Sequence, residues 1–203
     1  MHPALLDALA VLLPVDCAGC GAADRSVCDA CRAALVQPAI HSHTPDGLPV
    51  RSGLRYEGTA RALLLAFKED NRTDAARALA IHLTPLLDPA LTLVALPPSP
   101  KAWRRRGYDP VRLLLRRPSL RALALTREGS AQKGLGERDR AANRLGALRA
   151  TRRLDGLRIA IVDDVMTTGA TLDEAARAIR ASGGDPVEAV TLAATPRYFG
   201  RSQ

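Results

Sequence analysis

The stretch Arg158-Ile159-Ala160-Ile161-Val162-Asp163-Asp164-Val165-Met166-Thr167-Thr168-Gly169-Ala170-Thr171 decides how this chain is read. Its apolar start predicts a strand buried on both faces over 158–162, with two carboxylates where that strand emerges at its C-terminal edge. A Thr/Gly loop then leads straight into a helix predicted over 171–182. Leu172, Ala175, Ala176 and Ile179 fall at helical spacing, and Gly183-Gly184 closes it. Ligands of open α/β sheets bind at that edge. The amides of Met166 to Thr171 are expected to line a concave turn at the helix N-terminus, where the dipole favours anions. Gly169 permits close approach, and the hydroxyls of Thr167, Thr168 and Thr171 can donate to phosphate oxygens. Asp163 and Asp164 would repel a phosphate and suit instead the 2- and 3-hydroxyls of a ribose, or waters of a Mg2+. The parts fit a ribose 5-phosphate. A P-loop nucleotidase would need G-x-x-x-x-G-K-[ST], which the chain does not contain.

Working outward, strands are predicted over 50–56, 91–96 and 187–193. Helices are predicted from Gly58-Thr59 (Ala60, Leu63, Leu64 and Phe67 at i, i+3, i+4, i+7), over 73–87, and from Asp109-Pro110 onward. Strands alternating with helices imply an α/β fold with a doubly wound, mostly parallel sheet. Residues 37–49, rich in Pro, His, Ser and Thr, read as a linker between a small N-terminal unit (1–36) and a main domain (50–203). The polar stretch 127–143 carries no sustained apolar period and reads as a mobile loop or the prelude to a short helix.

The N-terminal unit pairs a short amphipathic helix over 3–13 with Cys17, Cys20, Cys28 and Cys31, spaced C-x2-C-x7-C-x2-C. Four thiolates at this spacing can surround a structural Zn2+ tetrahedrally. Gly19 and Gly21 would supply the tight turn beneath the metal. Two disulfides, four free thiols or an iron–sulfur cluster are the competing arrangements. Disulfides fit a cytosolic chain poorly.

The 203 residues suffice for one substantial core plus a small appendage. The apolar run 8–15 is too short to span a bilayer and lacks a basic flank, so no transmembrane segment or signal peptide is predicted and the cytoplasm is the expected compartment. A net charge of +8 points to anionic partners, phosphorylated metabolites or nucleic acid. Of 29 basic residues only Lys68, Lys101 and Lys133 are lysines, an arginine bias that a GC-rich genome produces by itself. Lys101-Ala102-Trp103-Arg104-Arg105-Arg106 could meet single-stranded DNA, arginines on phosphates and Trp103 on a base, or could be a packing anchor with a solvated face.

The 158–171 stretch closely resembles the motif with which type I phosphoribosyltransferases bind 5-phosphoribosyl diphosphate (PRPP). The four cysteines narrow the likeness to the ComF family, as do Pro97-Pro98-Ser99-Pro100, Arg106-Gly107-Tyr108, and Gln132, Leu135, Arg140 and Asn143. The chain departs from that family at Asp109-Pro110, where Asn-Gln is usual. The resemblance implies PRPP binding by Asp163, Asp164, Val165, Met166, Thr167, Thr168, Gly169, Ala170 and Thr171. It implies a diphosphate loop at Ser99, Pro100 and Lys101, and a flexible hood with Gln132, Lys133, Arg140 and Asn143. Mg2+ would accompany PRPP and Zn2+ the knuckle. It also implies a role in DNA uptake during natural transformation, beside a competence helicase and other uptake proteins at the inner face of the membrane. An active phosphoribosyltransferase with no DNA role, on an unidentified nucleobase or other acceptor, is the alternative. A purine salvage enzyme is a third, though such enzymes do not usually carry the knuckle. No catalytic base is evident.

Overall fold

The computed structural model describes residues 15–23, 25–115, 117–126 and 146–196. The helix expected over 3–13 and the hood residues Gln132, Lys133, Arg140 and Asn143 lie outside them. Helices are α1 (Asp29–Ala34), α2 (Gly58–Glu69), α3 (Ala76–Leu83), α4 (Pro100–Arg106), α5 (Pro110–Leu114) and α6 (Ala170–Arg180). Strands are β1 (Ile40–His43), β2 (Pro49–Arg55), β3 (Thr92–Ala95), β4 (Leu123–Leu125), β5 (Leu148–Ala150), β6 (Arg158–Met166) and β7 (Asp185–Ala194).

Five strands form the main sheet in the order β1-β2-β7-β6-β3. The pairs β2–β7, β7–β6 and β6–β3 are parallel, and β1 joins β2 antiparallel at the edge. The sheet is thus mostly parallel, as the alternation of elements required. Ile159 to Val162 and Ala189 to Ala194 are wholly buried because both faces are covered. On one face α2, α3 and α5 pack with Val162, Val190 and Leu192. On the other, α6 packs with Ile159, Ile161 and Ala189 beneath the β4–β5 ladder. The connection after β3 therefore leaves toward one face and that after β6 toward the other. Such a switch point opens a crevice at the carboxyl ends of two neighbouring strands.

Several elements differ from the sequence reading. β6 does not end at Val162 but runs to Met166, because the ten-residue β7 supplies ladder partners through Met166↔Ala194. The segment 37–49 is not a plain linker: 40–43 are strand β1. Its return turn is built on Thr44-Pro45-Asp46-Gly47, with the Leu48 amide donating to Thr44 Oγ1 at 3.0 Å and Gly47 at φ +85°. The helix expected over 73–87 is split into a 3-10 turn (Thr73–Ala75), α3 and a second 3-10 turn (Thr84–Leu86). Pro85 lacks the amide that would continue α3. Of the loop expected at Ser99, Pro100 and Lys101, the last two belong to α4, because Ser99 accepts from the Ala102 amide and Pro100 takes the first helical position. Among the described residues no helix is long and apolar enough to cross a membrane.

Candidate functional site

Asp163 and Asp164 are consecutive in β6, so their side chains leave on opposite faces. Asp164 is buried at 8% exposure on the α2 side, where Lys68 Nζ donates to its Oδ1 at 2.9 Å. Asp163 accepts the amide of Asp164 at 2.8 Å. Burial, and then the neighbouring Asp164 charge, push the Asp163 carboxyl up to about 8, against the pull of that amide and of Lys68. Lys68 was not among the expected site residues. Its only signal was being one of three lysines, at the end of a helix that returns to this edge of the sheet.

Thr167 and Thr168 are exposed, and Gly169 caps α6 at φ +77°. Among the described residues the amides of Thr167, Thr168 and Gly169 meet no protein acceptor, whereas the next turn closes on itself through Leu172 and Asp173 donating to the Gly169 carbonyl. Val165 and Met166 belong to the β6 ladder. The run of amides outside the ladder therefore begins at Thr167 rather than at Met166, where it was expected, a difference that follows from the length of β7. A Cβ on Gly169 would stand 2.9 Å from Pro45 Cδ and 3.3 Å from Thr44. The β1–β2 turn thus walls the loop, and the Asp46 amide fastens it to Asp173 Oδ2 at 3.3 Å.

Across the crevice, Ser99, Arg106 and Asp109 share a cleft of about 140 Å³ with Asp163, Asp164 and Thr171. The stretch after β3 and the acidic pair after β6 are thereby brought together from sixty residues apart. Lys101 is exposed on α4. Arg106, its side chain only 9% exposed, donates to the Lys68 carbonyl at 2.7 Å and to Glu69 at 3.1 Å. Arg105 pairs with Glu69 at 2.5 Å. Of the basic cluster, then, Trp103 and Arg104 face outward while Arg105 and Arg106 clamp α4 onto the end of α2. Tyr108 completes the clamp, its hydroxyl donating to the Phe67 carbonyl and its ring 5.7 Å from that of Phe67. Asp109 caps α5 by accepting the Arg112 amide at 3.2 Å; burial pushes its carboxyl up.

The four cysteine sulfurs lie within 4.8 Å of one another, with Cys20 and Cys28 3.6 Å apart. Tetrahedral thiolates at about 2.3 Å from a zinc ion would be roughly 3.8 Å apart, so the set fits a metal. All four are free thiols. Amides of Gly19 and Cys28 point at Cys17 Sγ (3.4 and 3.3 Å), and that of Cys31 at Cys28 Sγ (3.5 Å). Burial opposes ionisation of Cys17, but the amides overcome it and pull the thiol down to about 6. Burial and the other thiols push Cys31 up, a cost that a bound cation reverses. With no open position and two buried ligands, such a metal would be structural. The cluster also packs on the main core: Val27, Cys31 and Leu35 share it with Leu63, and a Cβ on Gly19 would strike Cys31 Sγ at 2.9 Å.

Residues 121–202 match the family model of the phosphoribosyl transferase domain. The matched span contains β4 to β7 and the whole of 158–171, while Lys68, Ser99 and the four cysteines precede it. No curated protein matches the chain.

Proposed function

We propose that this chain binds PRPP with Mg2+, its 5-phosphate on the amides and hydroxyls of 167–171 and its ribose hydroxyls on Asp163 and Asp164. The observation that carries this reading is the run of three amides with no protein acceptor among the described residues, set between an acid pair and the N-terminus of the eleven-residue α6. A phosphate and a pentose need donors and acceptors in that order along a short path. The diphosphate would extend toward Ser99, Pro100 and Lys101, where it would hold most of the Mg2+ coordination. The four cysteines would hold zinc. Should PRPP turn over, diphosphate leaves with the bonding electrons and the site contributes positioning and charge stabilisation. Calorimetry should find PRPP binding in the presence of Mg2+. Asp163→Asn/Asp164→Asn should weaken it about 100-fold, since two charge-assisted hydrogen bonds are lost. Unchanged affinity in a variant that still folds would sink the assignment.

A ComF-like role in DNA uptake is the second reading, with the helicase and membrane-side partners that it entails. It is favoured by Lys101, Trp103 and Arg104, exposed together on α4. On this reading a thymidylate oligonucleotide binds with a steep salt dependence, and Arg104→Gln lowers the slope of log K against log salt by about 0.7. Binding indifferent to salt would leave only the transferase reading.

A further inference from the structure

Between α4, α5 and the segment entering β4 lies a second cleft of about 610 Å³. Small-molecule sites run from roughly 300 to 1,000 Å³. Its floor is the outer edge of β3, where Leu120 bridges Val94 and its amide donates to the Leu93 carbonyl at 2.7 Å. Pro97, Pro98, Leu113 and Trp103 give it apolar walls. Trp103 is 49% exposed and Leu113 43%, two of the large apolar side chains left in water among the described residues, and both face this cleft. An indole with a free face is a stacking surface for a flat ring.

Arg112 and Arg121 line the cleft, and among the described residues neither guanidinium makes a side-chain hydrogen bond or an ion pair; Arg112 only attracts the Asp109 carboxyl through space, which leaves its donors for a ligand. Arg51, Arg72, Arg106 and Arg177, by contrast, are each tied to a carboxylate. A guanidinium is a planar fork that matches a carboxylate edge-on. We propose that this cleft is a second ligand site and takes a planar aromatic carboxylate, its ring against Trp103 and the proline pair, its acid group on Arg112 and Arg121. Pro97, Pro98 and Asp109 line this cleft and the small one at Asp163 alike, so the occupant would lie beside the sugar phosphate. The inference nonetheless stands without PRPP binding, because Trp103, Arg112 and Arg121, which would hold the ring and the acid group, do not line the cleft at Asp163.

Trp103 is the chain's single tryptophan, so its fluorescence reports on this cleft alone. Titration with pyridine-3-carboxylate should quench it saturably. The uncharged pyridine-3-carboxamide should bind about tenfold more weakly, and Arg112→Gln/Arg121→Gln should lose affinity for the carboxylate by at least about the same factor. The calorimetric titration with PRPP and Mg2+ should be unaltered in that variant, which separates this site from the first. Equal response to acid and amide, quenching that never saturates, or an unaltered double variant would overturn the proposal. So would quenching by a thymidylate oligonucleotide with none by the carboxylate, which would hand the cleft to nucleic acid.

Discussion

Stripping the zinc proposed at Cys17, Cys20, Cys28 and Cys31 is expected to lower the unfolding temperature by about 10 °C or more. The segment 15–35 has little core of its own. Cys17 and Cys31 are 3% and 5% exposed, and Val27 and Leu35 are buried against α2. Metal coordination by four thiolates is worth on the order of 10–16 kcal/mol of apparent folding energy, comparable to the whole stability of a domain. Without it the thiol cluster has no reason to stay assembled. Val27 and Leu35 would then come away from Leu63, each forfeiting roughly 1.5–3 kcal/mol of burial. The loss should extend beyond the knuckle, since Arg72 also donates to the Asp16 carbonyl at 2.6 Å. A chromogenic chelator that counts released metal, together with a thermal scan and hydrogen exchange on 25–36, checks this. Cys31→Ser should behave like the stripped protein. Complete metal release with an unmoved transition would mean that the knuckle is an ornament on an independently stable sheet.

Affinity for PRPP should rise with pH and level off above about 8. The Asp163 carboxyl is held up to about 8 by its burial and by Asp164, so at neutral pH it carries a proton much of the time. Accepting hydrogen bonds from a ribose needs the carboxylate, and below that value each pH unit costs about tenfold in binding. Between about pH 8 and pH 6 the loss should therefore approach 100-fold. Asp163→Asn should be weak throughout and flat over the same interval, apart from titration of the ligand's own phosphate, which the variant measures directly. The free protein should show the opposite trend in stability. An acid whose folded value is raised binds its proton more tightly when folded, so its contribution is full below about 3.8 and is lost as pH rises through about 8. An affinity constant across this range in the wild type would show that Asp163 meets no ligand.

The sequence alone determined the fold class and the sequence-local parts of the site. The apolar strand, the two carboxylates, the Thr/Gly loop and the helix after it form one continuous segment, so period and turn chemistry sufficed to read them. The cysteine spacing was legible for the same reason, since all four ligands fall within fifteen residues. Ser99-Pro100 carried a helix-start signal as clear as any in the chain, yet with Pro97 and Pro98 just before it the stretch read as a loop, which masked the start of α4. Pro45-Asp46-Gly47 marked a hairpin that the polar composition of 37–49 disguised.

Only the tertiary structure decided which distant groups meet at the edge of the sheet. That Lys68 reaches Asp164, that Arg105 and Arg106 pair with Glu69, and that Asp109 stands beside the acid pair all depend on how α2 and α4 are brought to the end of β6. The end of β6 was likewise set by the length of β7, its ladder partner, and not by β6's own residues. Local propensity and periodicity act over a few residues, whereas charge pairing, burial and strand length are settled between segments that the chain keeps far apart until it folds.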